Sequence, residues 1–292
     1  MPLENGPDFL CIGMQKAGTG WLFDQLQHHA DFWIPPIKEF HYLDRDIVRM
    51  SNPRKLLEMS KHSPKRLAKV LSKRRPWDER DVEFLKEAAS LAGKPRNIAQ
   101  YTALFRFKNG LLTGDITPGY STLSEDVIAE VGRALPGVKV VLLIRDPLDR
   151  AWSQICMAAR NERFDTALLK DAGRFRAFLE GNETINARSF PTQIVGRWRE
   201  HAPHIALQHF FLDDIIENPD ETRREILTFL GADPGKPSGE VDADHNRKSK
   251  VAKLPLTDDI RAVLVDHFRV ELLACVDLFG AHATGWAERY GL

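Results

Sequence analysis

FLCIGMQKAGTGWL, residues 9–22, decides how the rest of the chain is read. FLCIG (9–13) is an apolar run without polar alternation, the pattern of a strand covered on both faces. Over residues 19–29 the apolar positions recur at helical spacing. Between strand and helix sit Gly13, Gly18 and Gly20, which let the backbone turn sharply and approach a ligand closely. Free N–H groups at a helix start, backed by the helix dipole, favour a phosphate there. The stretch therefore predicts a strand, an anion-binding loop holding Lys16, and a helix. A strand–turn–helix without a ligand has the same local pattern, so a second element has to agree with it.

Working outward, VKVVLLI (138–144) and IALQHFFL (205–212) read as further strands. Helical periodicity covers 79–91, 124–134, 148–160, 192–200, 220–230 and 257–274. Strands alternating with helices predict an α/β fold, a P-loop-like central parallel sheet flanked by helices. No repeat, low-complexity tract or Gly/Ser linker divides the chain, so residues 1–292 read as a single domain. Residues 49–80 are the compositional exception, with 11 basic residues to 3 acidic ones, a net +8 that leaves −8 on the rest. Leu56, Leu57, Leu67, Val70 and Leu71 give this segment an apolar side, so it reads as a docked helical insertion near the acceptor side. Its charge, Arg75 included, is either a solvated face or a rim that gathers anions.

Lys+Arg and Asp+Glu both number 41, and a chain of zero net charge is a poor candidate for coating nucleic acid. Cys11, Cys156 and Cys275 are widely spaced with no CxxC pair, against both a disulfide scaffold and a cysteine zinc site. No apolar run approaches the ~18–20 residues of a membrane span. The start, MPLENGPDFLCIG, lacks the basic and apolar regions of an export signal, so a cytoplasmic protein without membrane contact is expected. HExxH, GxSxG and catalytic-loop HRD patterns are missing from the sequence. The acidic stretch EVDADH (240–245) lacks the glycine and spacing of a calcium loop, and no metal site is expected.

A nucleotide P-loop reads GxxxxGK[ST]. Gly13 and Gly18 fit that pattern, but Thr19 stands where the lysine belongs and Gly20 where the magnesium-binding hydroxyl belongs. A displaced lysine and a missing metal ligand count against an ATPase or GTPase. They suit a nucleotide whose 5′-phosphate carries a transferable group with no metal bridging it. The second element is VKVVLLIRDPLDRAWS (138–153), a strand followed by Asp146-Pro147 in N-cap and first-turn positions. Arg145 ends the strand, where ligands of open α/β sheets bind, and offers a forked contact to a phosphate dianion. Arg150 reads as structural.

The pattern G-x-x-K-x-G-T resembles the 5′-phosphosulfate loop of sulfotransferases that use 3′-phosphoadenosine 5′-phosphosulfate (PAPS) as donor. The resemblance implies that Lys16 contacts the phosphosulfate and that Ala17, Gly18, Thr19 and Gly20 supply backbone amides. Many members have a second Thr where this chain has Gly20. R-x-P-x-x-R-x-x-S is similar to the family's 3′-phosphate element, which implies Arg145 and Ser153 as ligands. GDITPGY (114–120) resembles a segment of the heparan-sulfate-type branch and its soluble microbial relatives, and RSFPTQIVGRW (188–198) and FFLDDIIENPDETRREILTFLG (211–231) resemble later portions. HNRKSK (245–250) falls where the family closes a loop over the nucleotide, which implies Arg247 and Lys248 near the 3′-phosphate.

Sulfuryl transfer needs an acceptor proton removed, and IPPIKEFHYLD (34–44) offers the groups for it. After Pro35-Pro36 an extended segment would alternate faces, with Glu39 and His41 on one side and Phe40 and Tyr42 on the other. A carboxylate beside an imidazole is a general-base pair if the acceptor comes within ~3 Å. The resemblance to K-E-x-H-[FY]-[FL] implies Glu39 as base, with His41 either supporting it or acting itself. The expected function is metal-free sulfuryl transfer to a hydroxyl or amine, with a small-molecule or carbohydrate acceptor. A P-loop kinase or NTPase and a non-catalytic nucleotide-binding module remain the alternatives.

Overall fold

Four short strands form one sheet in the computed structural model, which describes residues 6–49, 51–62, 75–236 and 254–292. They are β1 (Phe9–Gly13), β2 (Gly114–Ile116), β3 (Lys139–Ile144) and β4 (Leu207–Phe211). The order is β2-β1-β3-β4 with every pairing parallel. The two central strands are the two unbroken apolar runs, and β1 is buried at all 5 positions. Edge strand β2 escapes a pattern search because GDI has three residues and no apolar run.

Helices cover the sheet. The first half of the chain carries α1 (Thr19–Gln27), α2 (Ser51–His62), α3 (Glu79–Ser90), α4 (Ile98–Ala103) and α5 (Glu125–Ala134). Then come α6 (Pro147–Arg160), α7 (Ala172–Glu180), α8 (Glu183–Ala187), α9 (Pro191–His201), α10 (Leu212–Glu217) and α11 (Pro219–Leu230). The last two are α12 (Asp258–Phe279) and α13 (Ala281–Arg289). One continuous apolar core joins the strands to helices from both ends of the chain, as a single α/β domain requires. Cys11, Cys156 and Cys275 are free and buried in it. No helix among the described residues is long and apolar enough to cross a membrane.

The basic segment departs from expectation. Helix α2 accounts for its start, with Leu56 and Leu57 packed on the core. Residues 63–74 lie outside the described residues, and 75–78 are not helical. Arg75 is no rim cation: its Nη2 and Nη1 donate to Asp81 Oδ1 at 2.5 Å and Oδ2 at 2.9 Å, and Nη2 also reaches the Ile34 carbonyl at 3.1 Å. Asp81 is fully buried and also accepts from Trp33 Nε1 at 3.1 Å. The pair ties the start of α3 to residues 33–34.

A second buried carboxylate fixes the segment that follows. Asp115 of β2 accepts from Thr117 Oγ1 at 2.7 Å, Tyr120 OH at 2.6 Å and Tyr101 OH at 3.0 Å. Thr117 Oγ1 accepts in turn from Phe40 N at 2.8 Å, and Tyr120 OH from Tyr42 N at 3.2 Å. Phe40 stacks on Phe105, and Tyr42 packs on Tyr101. Burial pushes the Asp115 carboxyl up to about 6. A pKa raised on folding favours the folded state below the ordinary carboxylate value, and that contribution fades as pH rises through about 6. Thr117→Val removes the acceptor for Phe40 N and one donor to Asp115, and should cost ~1–3 kcal/mol in urea unfolding, since buried polar groups lose their partners. An unchanged unfolding midpoint would show that this relay does not hold the segment.

Candidate active site

The loop after β1 is built on glycine geometry. Gly18 caps α1 with φ 98, and a Cβ there would sit 3.2 Å from Leu212 Cδ1 and 3.3 Å from Ile215 Cδ1. Only glycine accepts both the left-handed backbone and that close neighbour. The first turn of α1 thus opens with N–H groups that lack intrahelical partners. Lys16, with φ 73, stands just before it. A Cβ on Gly20 would be 3.7 Å from Lys38 Nζ, which puts a second ammonium beside this turn.

The second element meets the first. Arg145 Nη1 donates to the Lys16 carbonyl at 3.2 Å, while its Nη2 lies 3.8 Å from Asp149 Oδ2. Asp149 and the half-buried Ser153 are four residues apart on α6 and share one face. Asp146 caps α6 through Leu148 N at 2.8 Å, and its other oxygen accepts from Tyr290 OH at 2.7 Å. Burial, with Asp149 nearby, raises the Asp146 carboxyl to about 6. Arg150 is fully buried, donates from Nε to Ser189 Oγ at 2.8 Å and from Nη2 to the Ile185 carbonyl at 3.3 Å, and keeps Nη1 unpartnered. Its place in the fold is the structural one expected, behind the corner at 185–189. Arg247 and Lys248 lie outside the described residues.

Glu39 and His41 do face each other, though not through an extended strand. Their φ values are 64 and 50, left-handed at both positions. Phe40 and Tyr42 are buried in the aromatic core and leave Glu39 and His41 outward. His41 Nδ1 lies 2.7 Å from Asp44 Oδ2, and Nε2 lies 3.5 Å from Glu39 Oε2. Gly119 makes the room, since a Cβ there would come within 2.7 Å of Asp44 Oδ2 and 3.0 Å of His41 Cε1. Hydrogen bonding to Asp44 first, then to Glu39, lifts His41 to about 9. Contact with His41, helped by Lys38 and Arg188, holds the Glu39 carboxyl below its usual value. The pair at neutral pH is a carboxylate held by an imidazolium.

Arg188, at the C-cap of α8, completes the group. Its Nη1 donates to Gln15 Oε1 at 3.1 Å, and its Nε is buried without a protein partner. Asp44 and Glu39 both act on its charge. Sequence reasoning missed Lys38, Asp44 and Arg188 as members of the site. Lys38 and Asp44 lie inside the quoted 34–44 stretch, whereas Arg188 carries no local sign of its neighbours. The arrangement gives a glycine loop opening a helix, cations around it and a carboxylate held below its usual value beside it. Among the described residues, no group of three or more His, Cys, Asp or Glu is placed to hold a metal ion. A shallow cavity of about 360 Å³ is lined by Thr122, Leu123, Glu125, Asp126, Ala187 and Arg197 among others, none of them a residue of this group.

The sign of the His41 shift is testable. A folded pKa of about 9 lies above the ordinary imidazole value, so its stabilisation is complete below that ordinary value and fades as pH rises through about 9. Asp44→Asn should therefore lower stability near pH 7 and match the parent above about pH 10 in urea titrations. A deficit that persists undiminished at high pH would show that Asp44 acts without the imidazolium.

The family described as the sulfotransferase family matches residues 7–234, a span holding the glycine loop, the Arg145–Ser153 element, the Glu39–His41 segment and Arg188. A crystal structure of a sulfotransferase from Alicyclobacillus acidocaldarius is similar over 96% of this chain and 98% of its own, at 20% identity and a TM-score of 0.63. The sulfotransferase domain from the Synechococcus PCC 7002 olefin synthase covers 91% of this chain and 98% of its own, at 15% identity and a TM-score of 0.45. No curated protein matches the chain.

Proposed function

The chain belongs to the sulfotransferase family and is an enzyme of sulfuryl transfer, and we propose that its donor is PAPS and its acceptor a hydroxyl or amine compound. The observation that carries the reading is the ionised Glu39, paired with His41, beside a glycine loop flanked by Lys16 and Lys38. PAPS is anionic at two places, its 5′-phosphosulfate and its 3′-phosphate. The residues present fit such a group: the turn at Gly18 opens the first N–H groups of α1, Lys38 Nζ stands beside Gly20, and Arg145 reaches the same loop through the Lys16 carbonyl.

When bound, the donor supplies an activated sulfuryl group. Lys16 and the amides of Ala17, Gly18, Thr19 and Gly20 hold the 5′ end, with Lys38 adding charge from the other side. Arg145 and Ser153 hold the 3′-phosphate, and Asp149 keeps Arg145 in reach of the loop. Glu39 takes the acceptor proton. His41 is already protonated, so it orients Glu39 and keeps it ionised rather than serving as base. The positive charge that stabilises the departing phosphate comes from side chains and the start of α1. A carbohydrate is the acceptor that the K-E-x-H and D-x-T-P-x-Y patterns support, and the cytoplasm is the proposed location.

Two substitutions separate binding from chemistry. Arg145→Ala should weaken adenosine 3′,5′-bisphosphate binding by ~2–5 kcal/mol, as loss of a desolvated charge partner does, and spare adenosine 5′-phosphate. Equal losses in calorimetry would remove Arg145 from the 3′ site. Glu39→Gln should leave donor affinity unchanged and cut turnover by about 10²–10⁴ with radiolabelled PAPS and a panel of sugars, phenols, alcohols and amines. Undiminished turnover would contradict the assignment of Glu39. Transfer that depends on magnesium would favour a kinase-like enzyme, and donor binding without transfer to any acceptor a binding module.

A further inference from the structure

The roles assigned so far leave Arg188 without a part. Its backbone belongs to a corner held from behind, where Arg150 binds the Ile185 carbonyl and Ser189 Oγ, and Ser189 Oγ itself donates to the Ile185 carbonyl at 2.6 Å. None of these bonds uses the Arg188 side chain. The side chain instead crosses to the phosphate loop, where Gln15 immediately precedes Lys16 and accepts from Nη1 at 3.1 Å. Glu39 and Asp44 are also close enough to act on its charge. A guanidinium offers five donors and no acceptor, so a carboxamide on one nitrogen leaves others to be satisfied. Nε–H is buried and meets no protein acceptor.

A cation tied to the glycine loop and near a carboxylate, with donors that no protein acceptor satisfies, is suited to an oxygen of the ligand. We propose that Arg188 binds the non-bridging oxygens of the sulfuryl group and that Gln15 orients it for that contact. The inference rests on the PAPS reading above. In the transfer, the bond from sulfur to the acceptor oxygen forms as the bond from sulfur to the phosphate oxygen breaks. The electron pair stays on the phosphate and the acceptor proton goes to Glu39. Arg188 gains and loses no proton; it holds three-oxygen geometry in line between the two partners, a task suited to a planar fork more than to an ammonium.

Equilibrium binding without acceptor tests this separately from activity. Titration calorimetry with PAPS and with adenosine 3′,5′-bisphosphate compares a nucleotide that has the sulfuryl group with one that lacks it. Arg188→Gln should weaken PAPS by ~10-fold or more, the scale of a lost charge-assisted contact, and the bisphosphate by less than ~3-fold. Arg188→Lys should recover part of the loss. Gln15→Ala should shift the same ratio in the same direction by a smaller factor, and decides the matter alone if Arg188→Gln does not fold. Equal weakening of both nucleotides, or no weakening of either, would overturn the role of Arg188. A parent protein that binds neither nucleotide would overturn the donor reading itself, and this inference with it.

Discussion

A carboxylate buried in an apolar core is stable only if its oxygens are well bonded, and Asp115 meets that demand with three hydroxyls. Two of those hydroxyls, on Thr117 and Tyr120, pass the constraint on to the backbone of residues 40–43. Residues 39–43 carry left-handed backbone at two non-glycine positions, Glu39 and His41, a costly conformation that persists only when its surroundings impose it. Inward-facing Phe40 and Tyr42 lock it from the apolar side. Glu39 and His41 are therefore presented by the Asp115 hub, and Gly119 in the same 114–120 stretch leaves the space that His41 and Asp44 occupy.

The electrostatics follow from that placement. His41 sits between two carboxylates, so it is the group that holds a proton, and Glu39 is the group proposed to receive the acceptor's. Cations arrive from four separate parts of the chain: Lys16 from the loop after β1, Lys38 from the segment before Glu39, Arg145 from the end of β3 and Arg188 from the end of α8. The sheet brings the first and third together, because β1 and β3 are adjacent and parallel and both end at the same edge. The C-terminal helix also contributes, since Tyr290 holds the oxygen of Asp146 that does not cap α6.

Central strands and the helices that follow them were legible in the sequence because a run such as KVVLLI or a 3.6-residue period is a local signal. The glycine loop was legible for the same reason, as glycines, lysine and helix start are contiguous. Strand β2 was not, since its three residues are defined by a neighbour and a buried carboxylate rather than by apolar pattern. Glu39 and His41 were read as facing one another, but the cause is aromatic anchoring and left-handed backbone rather than a strand. Arg75 looked like free surface charge, and only the fold reveals buried Asp81 beneath it. Arg188 became a site residue through Gln15, 173 positions away, a pairing that no local pattern encodes.

The central claim is that an ionised Glu39, held by a protonated His41, accepts the acceptor's proton. The pH dependence of kcat/KM for sulfuryl transfer tests it most directly. The account predicts that activity falls on the acid side only below the ordinary glutamate range, where Glu39 takes a proton. It also predicts no inflection near the ordinary imidazole value and a second fall as His41 deprotonates at about 9. A profile that instead rises through about pH 6.5 with a single imidazole-like inflection would make His41 the base and contradict the account.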